Sequence, residues 1–461
     1  MKDGPAIDRA AHTHDYMQVW SEMMNANLAA SAAVAHGEMR STSTRAALSS
    51  FIGTTVEWYD YFLYGTAAAL VFPKVFFNEL TPELATLASM ASFAVAFILR
   101  PLGGMVIGHF GDRLGRKKML VFTLLVMGLC TAAIGFLPSY NAVGYWSPGL
   151  LIALRVVQGF ALGGEWGGAA LMSVEHAPEG RRGLFGATMQ MGVPAGLLVS
   201  TGAFALVSAL PDQQFFAWGW RLPFIFSLAL LCIGMYIRLQ VSEPPSFEKV
   251  KASGTVSRAP LLEVWQNEKK KTLIMVFFQT AANVGYFLIT VYALTYITGT
   301  LHLPRSVAST GLLIAAAVDL VMQPVFGWLS DKVGRKVVYG FGAIFFAVYA
   351  FPMFWLLNTA NPVLITIALV LGLGIGHAST GSLHGVIYAE QYPTRYRFSG
   401  SSTAYQLSGI VSSAPTPLIA AWLVSSTGNS MAVSWYVVVA AIITLVCVFL
   451  VKETYRDPID R

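Results

Sequence analysis

Charge is scarce in this chain. Only 12% of its 461 residues are Asp, Glu, Lys or Arg, whereas 55% are apolar. A soluble domain carries roughly a quarter charged residues, so the composition excludes an ordinary soluble protein and points to a chain that crosses a membrane many times. Cysteine is scarcer still. Cys130, Cys232 and Cys447 stand in three different apolar stretches, too far apart for a disulfide framework or a metal site, and read as small packing residues. No G-x-x-x-x-G-K-[ST] loop occurs, which argues against drive by ATP. Gly163-Gly164 is no phosphate loop either, because it lies in the middle of an apolar stretch. Neither a Ser/His/Asp cluster nor a zinc spacing is present, so no enzyme, metal or other cofactor is expected. The strand alternation of an outer-membrane barrel is missing, which leaves helical spans.

A spanning helix needs about 20 mostly apolar residues. That rule predicts an all-α membrane protein with twelve transmembrane helices. The spans fall near 48–72, 84–108, 118–137, 149–176, 184–208, 218–239, 272–298, 306–330, 337–357, 362–389, 398–424 and 431–451. The expected organisation is a tail at 1–46, a six-helix bundle at 47–239, a polar linker at 240–271, a second bundle at 272–451 and a short tail at 452–461. The N-terminal stretch is polar and alanine-rich and lacks the core of a signal peptide. It reads either as a disordered cytoplasmic tail or as sequence preceding a start at Met39, with Arg40 and Arg45 leading into the first span.

The net charge of +6 does not mark a nucleic-acid binder, because the basic residues sit in alternate loops. They are Arg113, Arg116, Lys117 and Lys118; Arg181 and Arg182; Lys249, Lys251, Arg258 and Lys269 to Lys271; Lys332, Arg335 and Lys336; and Arg395 and Arg397. Intervening loops carry few, such as Lys74 and Arg305. This is the positive-inside pattern, which places those loops and both termini in the cytoplasm.

Two of the basic loops are copies. Gly108-His109-Phe110-Gly111-Asp112-Arg113-Leu114-Gly115-Arg116-Lys117-Lys118 is echoed about 219 positions later by Gly327-Trp328-Leu329-Ser330-Asp331-Lys332-Val333-Gly334-Arg335-Lys336. A membrane protein duplicated around a charged loop has the organisation of a transporter. Charge pairs between helices can form in one state and break in another. Asp112, Arg113 and Arg116, with Asp331, Lys332 and Arg335, are therefore the candidate gate. Asp112 has two possible partners, a helix N-terminus or a neighbouring arginine.

The first of these loops resembles the signature loop of the major facilitator superfamily. Other runs resemble its metabolite:proton symporter family, among them shikimate-, dicarboxylate- and proline/betaine-type permeases. They are Glu57-Trp58-Tyr59-Asp60-Tyr61-Phe62-Leu63-Tyr64-Gly65, Arg100-Pro101-Leu102-Gly103-Gly104, Gln158-Gly159-Phe160-Ala161-Leu162-Gly163-Gly164-Glu165-Trp166-Gly167-Gly168 and Trp218-Gly219-Trp220-Arg221-Leu222-Pro223-Phe224. The resemblance spans about 46–455. It implies two pseudo-symmetric six-helix bundles around a central cavity, alternating access, and proton-driven uptake across a bacterial inner membrane. Gly192 to Gly196 only partly resembles the glycine–proline motif of the drug antiporters, which weakens an exporter; a kink at Pro194 accounts for that run.

An ionisable residue inside a span is costly unless paired or wet, so each is a functional candidate. Glu57 and Asp60 share a helical face, where like charges raise proton affinity and suit proton coupling, the alternative being a pair locked to an arginine or to backbone groups. Arg155 matches an arginine of a second superfamily motif. Its partner is Glu57, Asp60 or a substrate carboxylate, or it forms a permanent structural bridge. Asp319 stands alone mid-span and is a third proton-coupling candidate. Glu165 reads as an inter-helix hydrogen-bonding group, and Arg100 as a structural residue reaching the interface. His377 and His384 are about 10 Å apart along one helix, too far to share a metal; hydrogen bonding to substrate and pH sensing both stand open for them. Gln279, Asn283 and Tyr286 make one polar stripe; with Tyr64, Tyr405, Gln406 and Arg155 they are the candidate substrate-binding residues, inter-helix bonding being the alternative for each.

The expected activity is proton-coupled import of a small organic acid by a monomer, its partners being that acid, protons and the lipid bilayer. The second reading is a proline/glycine betaine:proton symporter, weakened by a C-terminal tail too short for a coiled coil. A passive channel is the third.

Overall fold

The structure is a computed structural model that describes residues 42–459; a start at Met39 falls outside the described residues. The long helices are numbered here in chain order. α1 covers 42–70. The others are α2 Pro82–Leu114, α3 Arg116–Phe136, α4 Trp146–Glu175, α5 Arg182–Ser208, α6 Arg221–Leu239, α7 Lys269–Thr300, α8 Arg305–Val333, α9 Arg335–Asn358, α10 Pro362–Gln391, α11 Thr394–Thr427 and α12 Met431–Leu450. All of α2 to α12 are long and apolar enough to cross a membrane, and α1 completes a twelve-helix, two-bundle membrane fold. Within the bundles α2 and α3 pack on α4, α6 packs on α3, and α8–α10 and α9–α12 pair. Between bundles the main seams are α2 against α11 and α5 against α8.

Two helices outrun the apolar pattern. α1 begins at 42 rather than 48 because its polar start is buried and bonded; Ser43 Oγ donates to the His176 carbonyl at 2.5 Å. α2 continues past 108 to Leu114, since its polar end is packed against α11 rather than left in hydrocarbon. Each copied loop is a single glycine corner. Gly115 has φ 117° and Gly334 φ 105°, values that other residues rarely adopt, so α2 turns directly into α3 and α8 into α9. The segment expected as a plain linker holds the short helices Pro245–Ala252 and Pro260–Asn267.

Glycine sets how close α2 and α4 come. A Cβ on Gly163 would lie 2.1 Å from the Arg100 carbonyl oxygen, and one on Gly103 would lie 1.9 Å from the Phe160 carbonyl oxygen. α5 is interrupted at Met191, between Arg182–Gln190 and Gly192–Ser208, because Pro194 has no N–H for the Gln190 carbonyl. π-helical turns occupy Leu288–Tyr292 and Tyr296–Thr300 of α7, Gly372–His377 of α10 and Gly409–Ser413 of α11. Such turns often mark functional positions.

Gly163→Val forces α2 and α4 apart. Overpacking of this kind costs about 1–3 kcal/mol or more. The detergent-solubilised variant is expected to melt several degrees below wild type, measured by intrinsic tryptophan fluorescence.

Candidate functional site

The two aspartates of the copied loops do the same job on opposite bundles. Asp112, at the end of α2, accepts from the backbone N–H groups of Phe398 (3.1 Å) and Ser399 (2.8 Å) in the first turns of α11. Asp331, at the end of α8, accepts from the N–H groups of Gly183 (2.8 Å) and Leu184 (3.0 Å) in the first turn of α5. A carboxylate at a helix N-terminus meets unpaired N–H groups and the positive end of the helix dipole. Each bundle thus caps a helix of the other.

Around each aspartate lies a buried charge cluster drawn from both bundles. Arg116 pairs with Glu175 at the end of α4, and Glu175 also takes Arg397 Nη1 of α11 at 2.7 Å. In the second copy Arg335 lies 2.8 Å from Asp331 and 3.3 Å from Glu390 at the end of α10, and Glu390 takes Arg182 Nη1 of α5 at 2.9 Å. The chain after α12 ties on as well. Arg182 Nη2 donates to the Asp457 carbonyl at 2.6 Å and Arg397 Nη2 to the Ile459 carbonyl at 2.5 Å. A second matched pair closes each corner from below. Glu243 accepts from the N–H groups of Arg116 and Lys117, and Glu453 from those of Arg335 and Lys336. Arg113 and Lys332 depart from the expected gate: both side chains are exposed and enter no ion pair among the described residues. Helix geometry turns them away from the seam that Asp112 and Asp331 face.

Further into the helices a cavity opens between the bundles. It contains about 630 Å³ of empty space, open mouth included, and is lined by Trp58, Arg100, Gln190, Tyr286, His377 and Tyr405 among others. Gln279, Asn283 and Gln406 of the expected substrate set line it too, as do His384 and Phe97. Several of these side chains also bind protein. Gln279 Nε2 donates to the Tyr405 carbonyl at 3.2 Å, Asn283 Nδ2 to Ser412 at 2.8 Å, and Gln406 Nε2 to the Gly163 carbonyl at 2.9 Å. Tyr405 lies flat on Trp166, centroids 3.4 Å apart, and Gln190 Nε2 donates to the Gly381 carbonyl at 2.9 Å. Of these contacts, Gln406 with Gly163, Tyr405 with Trp166 and Gln190 with Gly381 join the two bundles. Trp58 Nε1 and Tyr286 Oη are buried without a hydrogen-bond partner among the described residues.

The buried charges divide between wall and interior. Arg100 is the one arginine or lysine among the described residues lining the cavity, against the expectation of an interfacial role. Proline and small residues around it let α2 sit deep in the bundle, so its guanidinium lies over the Phe97 ring and 3.5 Å from Glu57. Arg155 and Tyr64 do not line the cavity. Arg155 stacks over Tyr64 at 3.8 Å and donates to Gln158 at 2.6 Å. Gln158 donates to Thr131, and Thr131 to Asp60, each at 2.6 Å. Arg155 therefore reaches Asp60 through two polar side chains and touches neither carboxylate directly. Asp319 takes His377 Nδ1 at 2.9 Å. Glu165 forms a two-point pair with Arg238, at 2.8 and 3.1 Å. One oxygen each of Glu57, Asp60 and Asp319 is buried without a hydrogen-bond partner among the described residues.

Among known proteins, the model of the Major Facilitator Superfamily matches residues 50–414 and, in a second alignment, 291–460. The chain belongs to the major facilitator superfamily. A shikimate transporter of Escherichia coli K12 is 39% identical over 420 residues, covering 90% of this chain and 96% of the relative. The inner membrane metabolite transport protein YhjE of the same organism is 41% identical over 415 residues, covering 88% and 93%. Its proline/betaine transporter is 34% identical over 436 residues, covering 92% and 85%. The solved structure of the proton:xylose symporter XylE with bound 6-bromo-6-deoxy-D-glucose superposes with a TM-score of 0.75 over 91% of this chain and 98% of that one, at 18% identity. This superfamily member is thus a multi-pass membrane transporter of small molecules, not an enzyme.

Hydrogen bonds to a charged group are worth about 1.5–3 kcal/mol each, so Asp331→Ala should open the α5–α8 seam by at least tenfold. Ala187, buried there against Gly327, supplies the reporter. In a cysteine-free background, Ala187→Cys should react with maleimide at least tenfold faster once Asp331 is removed; an unchanged rate would show that Asp331 does not hold this seam.

Proposed function

We propose that this transporter is a proton-coupled symporter that imports a small organic acid across a bacterial inner membrane. It works as a monomer with both termini in the cytoplasm, and the charge clusters form its cytoplasmic gate, shut in the conformation described. The positive-inside loops support this orientation. The gate comprises Asp112, Arg116 and Glu175 with Arg397, and Asp331, Arg335 and Glu390 with Arg182; Arg113 and Lys332 are left to membrane topology.

The observation that carries the coupling is the Arg100–Glu57 contact on the cavity wall. Arg100 is committed to Glu57 while that carboxylate is ionised. A proton arriving on Glu57 removes the competing charge, and the guanidinium then takes a substrate carboxylate, a pairing that suits its planar fork. Proton and anion enter together, and the site stays neutral during the crossing. A loaded cavity with no net charge and no unpaired buried ion is the cheapest state to carry past the closing helices. Asp60, wired to Arg155 through Thr131 and Gln158, and Asp319, paired with His377, complete the set of proton-responsive groups. Opening inward requires both aspartate caps to release, because each ties a helix of one bundle to the other.

A second reading is a zwitterionic osmolyte as cargo. The rings of Trp58, Phe97, Tyr286 and Phe287 around the cavity could hold a quaternary ammonium by cation–π attraction while Arg100 takes its carboxylate. Relatives of both kinds support the two readings alike.

Proteoliposomes given an inward proton gradient separate them. A single acid from a panel of shikimate, α-ketoglutarate, citrate, proline and betaine should alkalinise the outside and accumulate. Glu57→Gln, a mimic of the protonated state, should keep counterflow exchange but lose accumulation and proton movement. Arg100→Gln should weaken apparent affinity by about ten- to a hundredfold, the worth of a charge-assisted bond. Accumulation by Glu57→Gln equal to wild type would remove Glu57 from coupling; flux that never saturates and ignores the gradient would indicate a channel.

A further inference from the structure

Most polar side chains on the second-bundle wall of the cavity are already bonded within the protein, and His384 shares a hydrogen bond with the Tyr339 hydroxyl at 3.0 Å. His377 and Tyr286 differ. His377 is held at Nδ1 by Asp319 Oδ2 at 2.9 Å, and Asp319 is itself steadied by Gln323 Nε2 at 3.3 Å. An ionised carboxylate only accepts, so the proton of a neutral ring sits on Nδ1 and Nε2 presents a lone pair. The ring lies against Tyr286, centroids 4.5 Å apart, which fixes its tilt. Gly381 leaves the nitrogen room, since a Cβ there would lie 2.6 Å from Nε2. The hydroxyl of Tyr286, whose ring packs against the imidazole, is buried and has no hydrogen-bond partner among the described residues.

An acceptor on one ring and an unpaired hydroxyl on the ring packed against it match one kind of ligand group. A hydroxyl can donate to His377 Nε2 and accept from Tyr286 in the same contact. A carboxylate has nothing to donate to Nε2, and a quaternary ammonium can neither donate nor accept. We propose that His377, oriented by Asp319 and flanked by Tyr286, is the second recognition point of the cavity, and that the cargo is a carboxylic acid bearing a hydroxyl away from its carboxylate. This rests on the reading in which Arg100 takes the carboxylate: one bundle reads the acid and the other reads the hydroxyl. Only a ligand that satisfies both spans the gap between bundles and draws them together, so the hydroxyl ties recognition to closure. Asp319 is here a positioning residue that acts through the imidazole.

The test compares two acids of one ring, shikimate and cyclohex-1-ene-1-carboxylate, as probes of the full-length protein in proteoliposomes by competition and tracer uptake. Wild type should prefer the hydroxylated acid by roughly tenfold or more, the worth of a well-formed hydrogen bond with no stranded partner. His377→Leu should reduce that preference to within about twofold, while its affinity for the ring acid without hydroxyls stays within about twofold of wild type. Asp319→Asn should reduce the preference too, because an amide no longer dictates which ring nitrogen carries the proton. A purely structural role would change both ligands equally. Tyr286→Phe removes a single oxygen and guards against misfolding of the histidine variant; it should lower the preference several-fold. Wild type without preference, or unchanged preference in both His377→Leu and Tyr286→Phe, overturns the hydroxyl site and leaves the acid symporter standing. Arg100→Gln should weaken both acids alike. A wild-type protein that takes up neither acid overturns the acid reading and the hydroxyl site with it.

Discussion

Everything at the basic end depends on a carboxylate of one bundle holding the exposed N-terminus of a helix in the other. The arrangement occurs twice, as Asp112 on α11 and Asp331 on α5. Four amide N–H groups that would otherwise be unpaired at a buried interface find acceptors. The arginines and glutamates around them then exist to keep two buried carboxylates from being stranded, since an uncompensated buried charge is strongly destabilising. The latch is strong while assembled and has no stable half-broken form, the behaviour expected of a gate with two discrete positions.

The cavity is poised differently. Around Asp112 and Asp331 each charged cluster is shared between bundles. Along the cavity the charged pairs stay inside one bundle: Glu57 with Arg100, Asp60 through Thr131 and Gln158 to Arg155, and Asp319 with His377. A movement of one bundle against the other would leave these pairs intact. What crosses between bundles near the cavity is aromatic or amide: Tyr405 on Trp166, Gln190 to Gly381, Gln406 to Gly163. Such neutral contacts cost less to part than ion pairs.

Much of the fold was legible in the sequence because the bilayer enforces a simple code of length and apolarity. All twelve spans fall close to their expected places, and the copied loops mark the duplication. The code fails where polar residues are bonded, as in the ends of α1 and α2. At the site, periodicity located the polar stripe of α7, and Gln279, Asn283 and Tyr286 do share the cavity wall. It could not pair groups from different helices. Arg155 was expected at the substrate and Arg100 at the interface, and packing reverses them: Arg155 is buried over Tyr64 and Arg100 lies on the cavity wall. Glu175, Glu390, Arg182 and Arg397 were missed in the gate although a signal was present. Glu175 follows Asp112 by nearly the interval at which Glu390 follows Asp331, and Arg182 and Arg397 stand in matching places after them. Extending the repeat beyond its glycines would have found all four.

A bond to a main-chain amide does not read the side chain of the residue that donates it. Asp112 grips the main chain at 398 and 399, and Asp331 that at 183 and 184, so the bonds do not depend on those side chains; packing does, since Phe398 and Ser399 are fully buried and a Cβ on Gly183 would lie 2.5 Å from the Gly327 carbonyl oxygen. Substitutions that keep the packing can therefore occur on the donor side without altering the bonds of the latch. The carboxylates have no such latitude, and neither needs a matching change in the opposite bundle. Two halves that arose by copying can diverge in sequence, lining one cavity with an arginine on one wall and a histidine on the other, while the device that joins them stays the same.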